Sequence, residues 1–208
     1  MNRIRIRFEK KGRARFISHL DLMSVFQRAI SRAKLNVKSS DGFNPHTYVS
    51  IAIPLSLGYE SRCEALDIFM PDFDKDYLIE SLNSALPEGI VCYDAYITDE
   101  PPKKIAFARY KVTLFGGNSN QYEQILSKNE IIVEKKSKKK IVDVNIAPLI
   151  KKVSFENNGE NIILDMLLVT NAGETLNPEY VVKALKDDEI KHFVVERAVF
   201  FREDMTEF

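Results

Sequence analysis

The sequence predicts an α+β protein built as two tandem ferredoxin-like units, each running β-α-β-β-α-β. Three observations predict it: short strand and helix patterns alternate in each half, the two halves repeat the same order, and a Pro-Pro linker stands between them. The expected boundaries are residues 1–99 for the first unit, which carries the candidate site, and 104–208 for the second. A chain of 208 residues can bury a core as one domain or as two small ones.

Each element follows from local pattern. Ile4, Ile6 and Phe8 alternate with Arg3, Arg5 and Arg7, the period-two signature of a strand with one face buried and one wet. After a turn at Lys10-Lys11-Gly12, the residues Leu20, Leu22, Met23, Phe26, Ala29, Ile30 and Ala33 recur at helical spacing. Ser18 is the natural N-cap of that helix, with Asp21 three residues on. Residues 38–46 are turn-rich. Tyr48 to Leu55 and Glu64 to Met70 read as strands, and Pro71 ends the second. Asp74 to Leu86 has helical spacing, and Pro87-Glu88-Gly89 leads into a strand from Ile90 to Ile97.

Asp99 to Lys104 is the linker. Beyond it, Ile105 to Phe115 reads as a strand, Asn120 to Lys128 as a short helix, and Glu130 to Lys136 as a strand running into Lys138-Lys139-Lys140. Val142 to Phe155 and Asn161 to Val169 read as paired strands around Asn157-Asn158-Gly159. Pro178 opens a helix reaching Leu185 after an Asn177 cap, and Phe193 to Arg202 closes the unit.

Composition narrows the function classes. Thirty basic and thirty acidic side chains cancel, yet they are poorly mixed along the chain. Residues 1–40 hold eleven basic side chains against Glu9 and Asp21, whereas residues 60–100 hold eleven acids against Arg62 and Lys75. A basic end that faces an anion is the expectation. No apolar run approaches the roughly 20 residues of a membrane helix, and the alternating amino terminus is unlike a signal peptide, so a cytoplasmic protein is expected. Cys63 and Cys92, far apart, make neither a disulfide framework nor a zinc or iron-sulfur motif. Walker, dinucleotide and nucleophile-elbow patterns are all missing.

The candidate site lies in Lys10 to Gly58. Arg3, Arg5 and Arg7 would project from the sheet face that the helices leave open, a row suited to a phosphate backbone, or they are a solvated or salt-bridged face. Lys10, Lys11, Arg13 and Arg15 surround Gly12 just before a helix amino terminus, a credible anion site. Arg28 and Arg32, one turn apart opposite Phe26 and Ile30, extend the basic surface together with Lys34 and Lys38. Phe43, beside Asn44 in a loop, would stack on an RNA base or else plug the core. His19 near Asp21, and His46 after Asn44-Pro45, are candidates for acid–base work, for phosphate or base contact, or for structural hydrogen bonds. Nothing in the spacing of His19, Asp21 and His46 marks a metal site, so none is expected. His192 reads as a surface residue.

The runs Arg15-Phe16-Ile17-Ser18-His19-Leu20-Asp21, Gly42-Phe43-Asn44-Pro45-His46 and Pro54-Leu55-Ser56-Leu57-Gly58 resemble a bacterial radical-SAM-linked domain family of unknown function. Weaker similarity extends through Val142-Asp143-Val144 to Glu196-Arg197. Members are free-standing, the form expected for this chain, or carboxy-terminal extensions of cobalamin-binding radical-SAM proteins, and the resemblance implies RNA or ribosome biology. The Cys-x-x-x-Cys-x-x-Cys cluster motif is absent from this chain. The iron-sulfur cluster and S-adenosylmethionine would therefore belong to a partner, with this chain presenting RNA to it. Two other expectations stand beside that one: a stand-alone RNA-processing enzyme using His19 and His46, and a protein-docking subunit of a radical-SAM enzyme.

Overall fold

The apolar half of the alternation in the amino-terminal strand is realised and the wet half is not: in a computed structural model, which describes residues 1–136, 141–159, 161–171 and 173–208, Ile4, Ile6 and Phe8 are fully buried, and so is Arg5 between them. The chain divides into two units, Met1–Lys103 and Lys104–Phe208. Both are mixed α+β with antiparallel strand pairing, and four α-helices lie among the described residues. No helix among those residues is long and apolar enough to cross a membrane.

The first unit contains β1 (Asn2–Lys10), α1 (His19–Arg32), β2 (Ser50–Ile51), β3 (Glu60–Met70), α2 (Lys75–Ala85) and β4 (Ile90–Ile97). Its strands stand in the order β4-β1-β3-β2. Register builds the core directly: Ile4 pairs with Ile68 and Ile97, and Ile6 with Leu66 and Ala95, so one sheet face is apolar across three strands. Leu22, Phe26, Ala29 and Ile30 of α1 and Leu78 and Leu82 of α2 pack on that face. The Phe26 ring meets Phe8 edge-on at 4.8 Å. Ser18 caps α1, its hydroxyl oxygen accepting from the Asp21 N–H, and Asp74 caps α2 through Tyr77.

One strand is shorter than its composition predicts. Of Tyr48 to Leu55 only Ser50 and Ile51 pair in register with β3. Tyr48 donates its N–H to the Lys38 carbonyl at 2.9 Å instead, and Pro54 has no N–H to offer a ladder. β3 begins four residues earlier than expected, because Ser61 reaches back to pair with Lys10 at the end of β1.

In the second unit β5 (Phe107–Phe115), α3 (Tyr122–Leu126), β6 (Ile132–Lys136), β7 (Ile141–Asn145), β8 (Ile150–Asn158), β9 (Asn161–Val169), α4 (Pro178–Ala184) and β10 (His192–Phe201) follow in turn. The order is β10-β5-β9-β8, with β6 and β7 forming a separate ribbon. The single strand expected from Val142 to Phe155 is thus two. A 3-10 turn at Ala147–Leu149 containing Pro148 interrupts it, which sends β7 to β6 and β8 to β9. The run Lys138-Lys139-Lys140 lies outside the described residues.

Candidate nucleic-acid interface

The β1 arginines are engaged inside the first unit. Arg5 pairs in register with Asp67, and its guanidinium makes a forked contact to that carboxylate at 2.8 and 2.9 Å while also donating to the Glu100 carbonyl at 2.7 Å. Its side chain has no exposed surface, which corrects the expectation of an open row and leaves the salt-bridged alternative at this position. Arg3 lies 5.6 Å over the Phe69 ring and donates to the Asp99 carbonyl. Arg7 is half-buried; burial works against its charge, but Tyr93 and Tyr96 outweigh that and hold its pKa above the ordinary arginine value. The acidic stretch that balances the chain's charge supplies several of these partners. The physical reason is that a polar residue facing a neighbouring strand is satisfied across the ladder before any ligand arrives.

The turn after β1 is held differently. Lys10 points inward, donating its ammonium to the Ile17 carbonyl at 2.8 Å. Lys11 donates its N–H to the Gly89 carbonyl, and Gly12, at φ +57°, donates to the Glu60 carboxylate at 3.0 Å. Arg15 lies 3.9 Å from the same carboxylate, and its carbonyl accepts from the Gly58 N–H at 2.9 Å. Gly89 is required by contact as well as by conformation: a Cβ there would strike the Lys11 carbonyl and stand 3.0 Å from Ala14 Cβ. Glu60, Gly58 and Gly89 therefore fix the turn. Nothing in their local sequence marks them for that role.

What the turn presents is cationic and aromatic. The Arg15 guanidinium lies 4.8 Å over the Phe16 ring, and that ring is 60% exposed. Arg13 is exposed and forms no ion pair among the described residues, while Lys11 is paired with Glu9. His19 begins α1 half-buried, its imidazole making no hydrogen bond among the described residues. Asp21 is engaged by the Ser18 hydroxyl, which donates to its carboxylate at 2.6 Å, rather than by His19. Leu20, 74% exposed, leaves the apolar stripe it was expected to join. It sits six residues before Phe26, about 240° around the helix, a displacement that a helical-wheel reading would have caught.

His46 belongs to another setting. The loop from Lys38 to Tyr48 folds back on itself through a Ser39–Thr47 bridge. Ser40 donates its N–H to the His46 carbonyl at 2.7 Å, and the His46 N–H donates to the Ser40 hydroxyl at 3.1 Å. That hydroxyl lies 2.9 Å from His46 Nδ1. Gln27 of α1 donates to the Thr47 carbonyl, and Gln27 lies eight residues, about 12 Å along the helix, beyond His19. His19 and His46 thus serve different parts of α1, and no hydrogen bond among the described residues joins them. No group of three His, Cys, Asp or Glu among those residues is placed to hold a metal. Phe43 and Asn44 stand exposed at the loop tip.

Arg28 and Arg32 are exposed on the outer face of α1, opposite buried Phe26 and Ile30. They line a groove of about 650 Å³ with Leu86 and Pro87, and Arg32 donates to the Ala85 carbonyl at 2.6 Å, satisfying the end of α2. His192, on the other unit, is exposed and stacks on Phe115 at 4.2 Å.

Residues 3–178 match the profile of a family described as an uncharacterized protein conserved in bacteria, DUF2344. No curated protein matches the chain. Among solved structures, one in the crystal structure of a Cbf5-Nop10-Gar1 complex aligns with TM-score 0.51 at 11% identity, covering 97% of this chain and 50% of that one. The chain therefore spans about half the length of that neighbour, and at such identity the likeness is one of fold. An unknown protein from Galdieria sulphuraria aligns over 95% of this chain and 99% of its own at 14% identity, with a TM-score of 0.31 that carries no argument.

Proposed function

The chain belongs to the bacterial family DUF2344, and we propose that it acts there as an RNA-binding module, presenting tRNA or rRNA to a radical-SAM modification enzyme. The observation that carries the RNA part is the exposed Arg15–Phe16 stack, flanked by His19 and by Arg13, which has no ion-pair partner among the described residues. An aromatic face with a guanidinium already laid on it suits a nucleobase, because bases stack on both kinds of plane, and the neighbouring cations suit the phosphates. The strand orders β4-β1-β3-β2 and β10-β5-β9-β8 support reading each unit as ferredoxin-like, with the β6-β7 ribbon as an insertion in the second.

The radical-SAM part rests on the sequence resemblance. Three thiolates are needed for the cluster motif, and this chain has two cysteines, both buried, so cluster and S-adenosylmethionine belong to the partner in this reading. The chain's own work is to bind and orient RNA.

Filter binding of the purified protein to tRNA and rRNA fragments across a salt series tests this. Affinity should fall steeply with salt, and Arg13→Ala should reduce the log–log slope by about one. Absence of salt-dependent RNA binding, with capture of a radical-SAM subunit by the tagged protein, would replace RNA presentation by protein docking.

A further inference from the structure

We infer that the RNA is recognised as an unpaired strand, with one base stacked on Phe43 and its edge read by Asn44 at the tip of the Lys38–Tyr48 loop. This rests on the RNA-binding reading above and names the substrate class that the site takes.

The Phe43 ring is fully exposed. It stands among Ser40, Asp41, Gly42, Asn44 and Pro45, so it is a single aromatic on a polar tip and not part of the contiguous apolar patch that a protein partner would need. The tip has a built stem. Ser40 and His46 clasp it through both backbone groups and the Ser40 hydroxyl, and the Lys38 N–H donates to the Phe69 carbonyl at 2.9 Å. Tyr48 packs on the Phe69 ring at 5.4 Å, and Gln27 holds Thr47 from α1. Holding an exposed ring on a fixed stem lowers the ordering cost of binding. Gly42, at φ +124°, makes the bend that presents the ring, and Pro45 restricts the chain after it.

The chemistry selects an unstacked base. Asn44 has no side-chain hydrogen bond among the described residues, so its amide offers both a donor and an acceptor beside the ring. In an A-form duplex the bases are stacked and the major groove is too narrow for side chains to read, whereas an unpaired base offers its π-face to Phe43 and its Watson–Crick edge to Asn44. His46 is then a positioning residue that holds the stem, which accounts for its place in the loop without acid–base chemistry.

The chain contains no tryptophan, so Phe43→Trp introduces a lone indole at the tip, excited selectively to the red of the eight tyrosines. Its emission should be quenched by an unstructured single-stranded RNA 12-mer and left unchanged by a duplex of the same composition. Phe43→Ala should weaken the single strand about ten-fold and leave the duplex unaffected. Duplex bound as tightly as single strand, or a Trp signal unmoved while salt-dependent RNA binding persists, would overturn this inference and leave the RNA-binding reading standing. Failure of the unmodified protein to bind either RNA would overturn both.

Discussion

Asp67→Ala removes one partner of a buried ion pair and tests where the β1 arginines do their work. The Arg5 side chain is wholly buried and that of Asp67 is 5% exposed, and the two meet through a forked contact. Truncating the carboxylate strands a guanidinium out of water, a change that costs about 3–5 kcal/mol. Urea unfolding followed by circular dichroism should register this as a midpoint lower by about 2 M for an ordinary denaturant slope. Replacing both partners, Arg5→Met with Asp67→Leu, removes the stranded charge. The double variant should return to within about 1 kcal/mol of the parent, the residue being the Glu100 carbonyl left without its Arg5 donor. Its RNA affinity should equal the parent's, because this guanidinium faces Asp67 and not a ligand. A cost below about 1 kcal/mol for Asp67→Ala would refute the account of the pair as a buried one. A ten-fold loss of RNA binding in the double variant would show that the row reaches RNA after all.

Two further outcomes follow from the same geometry. Gly89→Ala forces a side chain into φ +86° and onto the Lys11 carbonyl. It should cost about 1–3 kcal/mol from the backbone alone, with weaker RNA binding as the Lys11–Phe16 turn shifts; unchanged thermal unfolding would contradict the close approach. Burial pushes the Cys92 thiol up from 9.0 to about 12. The folded state therefore keeps a proton that the unfolded chain releases, so this contribution is complete below pH 9 and is lost as the pH rises toward 12. The loss is up to about 1.4 kcal/mol per pH unit. Urea midpoints at pH 8 and pH 10 should separate more for the parent than for Cys92→Ala, and equal separations would count against the raised pKa.

Much of the first unit was legible in the sequence because its signals are local. The alternation of β1, the apolar stripe from Leu22 to Ile30, the Ser18 cap and the bounds of β4 depend on residues within a few positions of one another. The break at Pro148 was also written there, as a residue without an N–H, but the flanking β-rich pattern obscured it. Candidate-site residues fared less evenly. Arg13 and Arg28 are exposed, and Phe43 takes the exposed one of its two alternatives, whereas Lys10 turns inward to Ile17, and His19 and His46 attach to different parts of the molecule.

Sequence by itself determined the α+β class, the basic character of Lys10 to Gly58 and the helix within that segment, since periodicity and capping act over one or two turns. Only the tertiary structure decided which of those basic groups remain available. Arg5 and Arg13 were both candidate cations in the sequence, and the fate of Arg5 was settled by an aspartate 62 residues away. Strand register is a long-range property: it brought Asp67 opposite Arg5, left Arg13 on an outward turn, and so moved the candidate interface from the strand face to the turn and the loop tip.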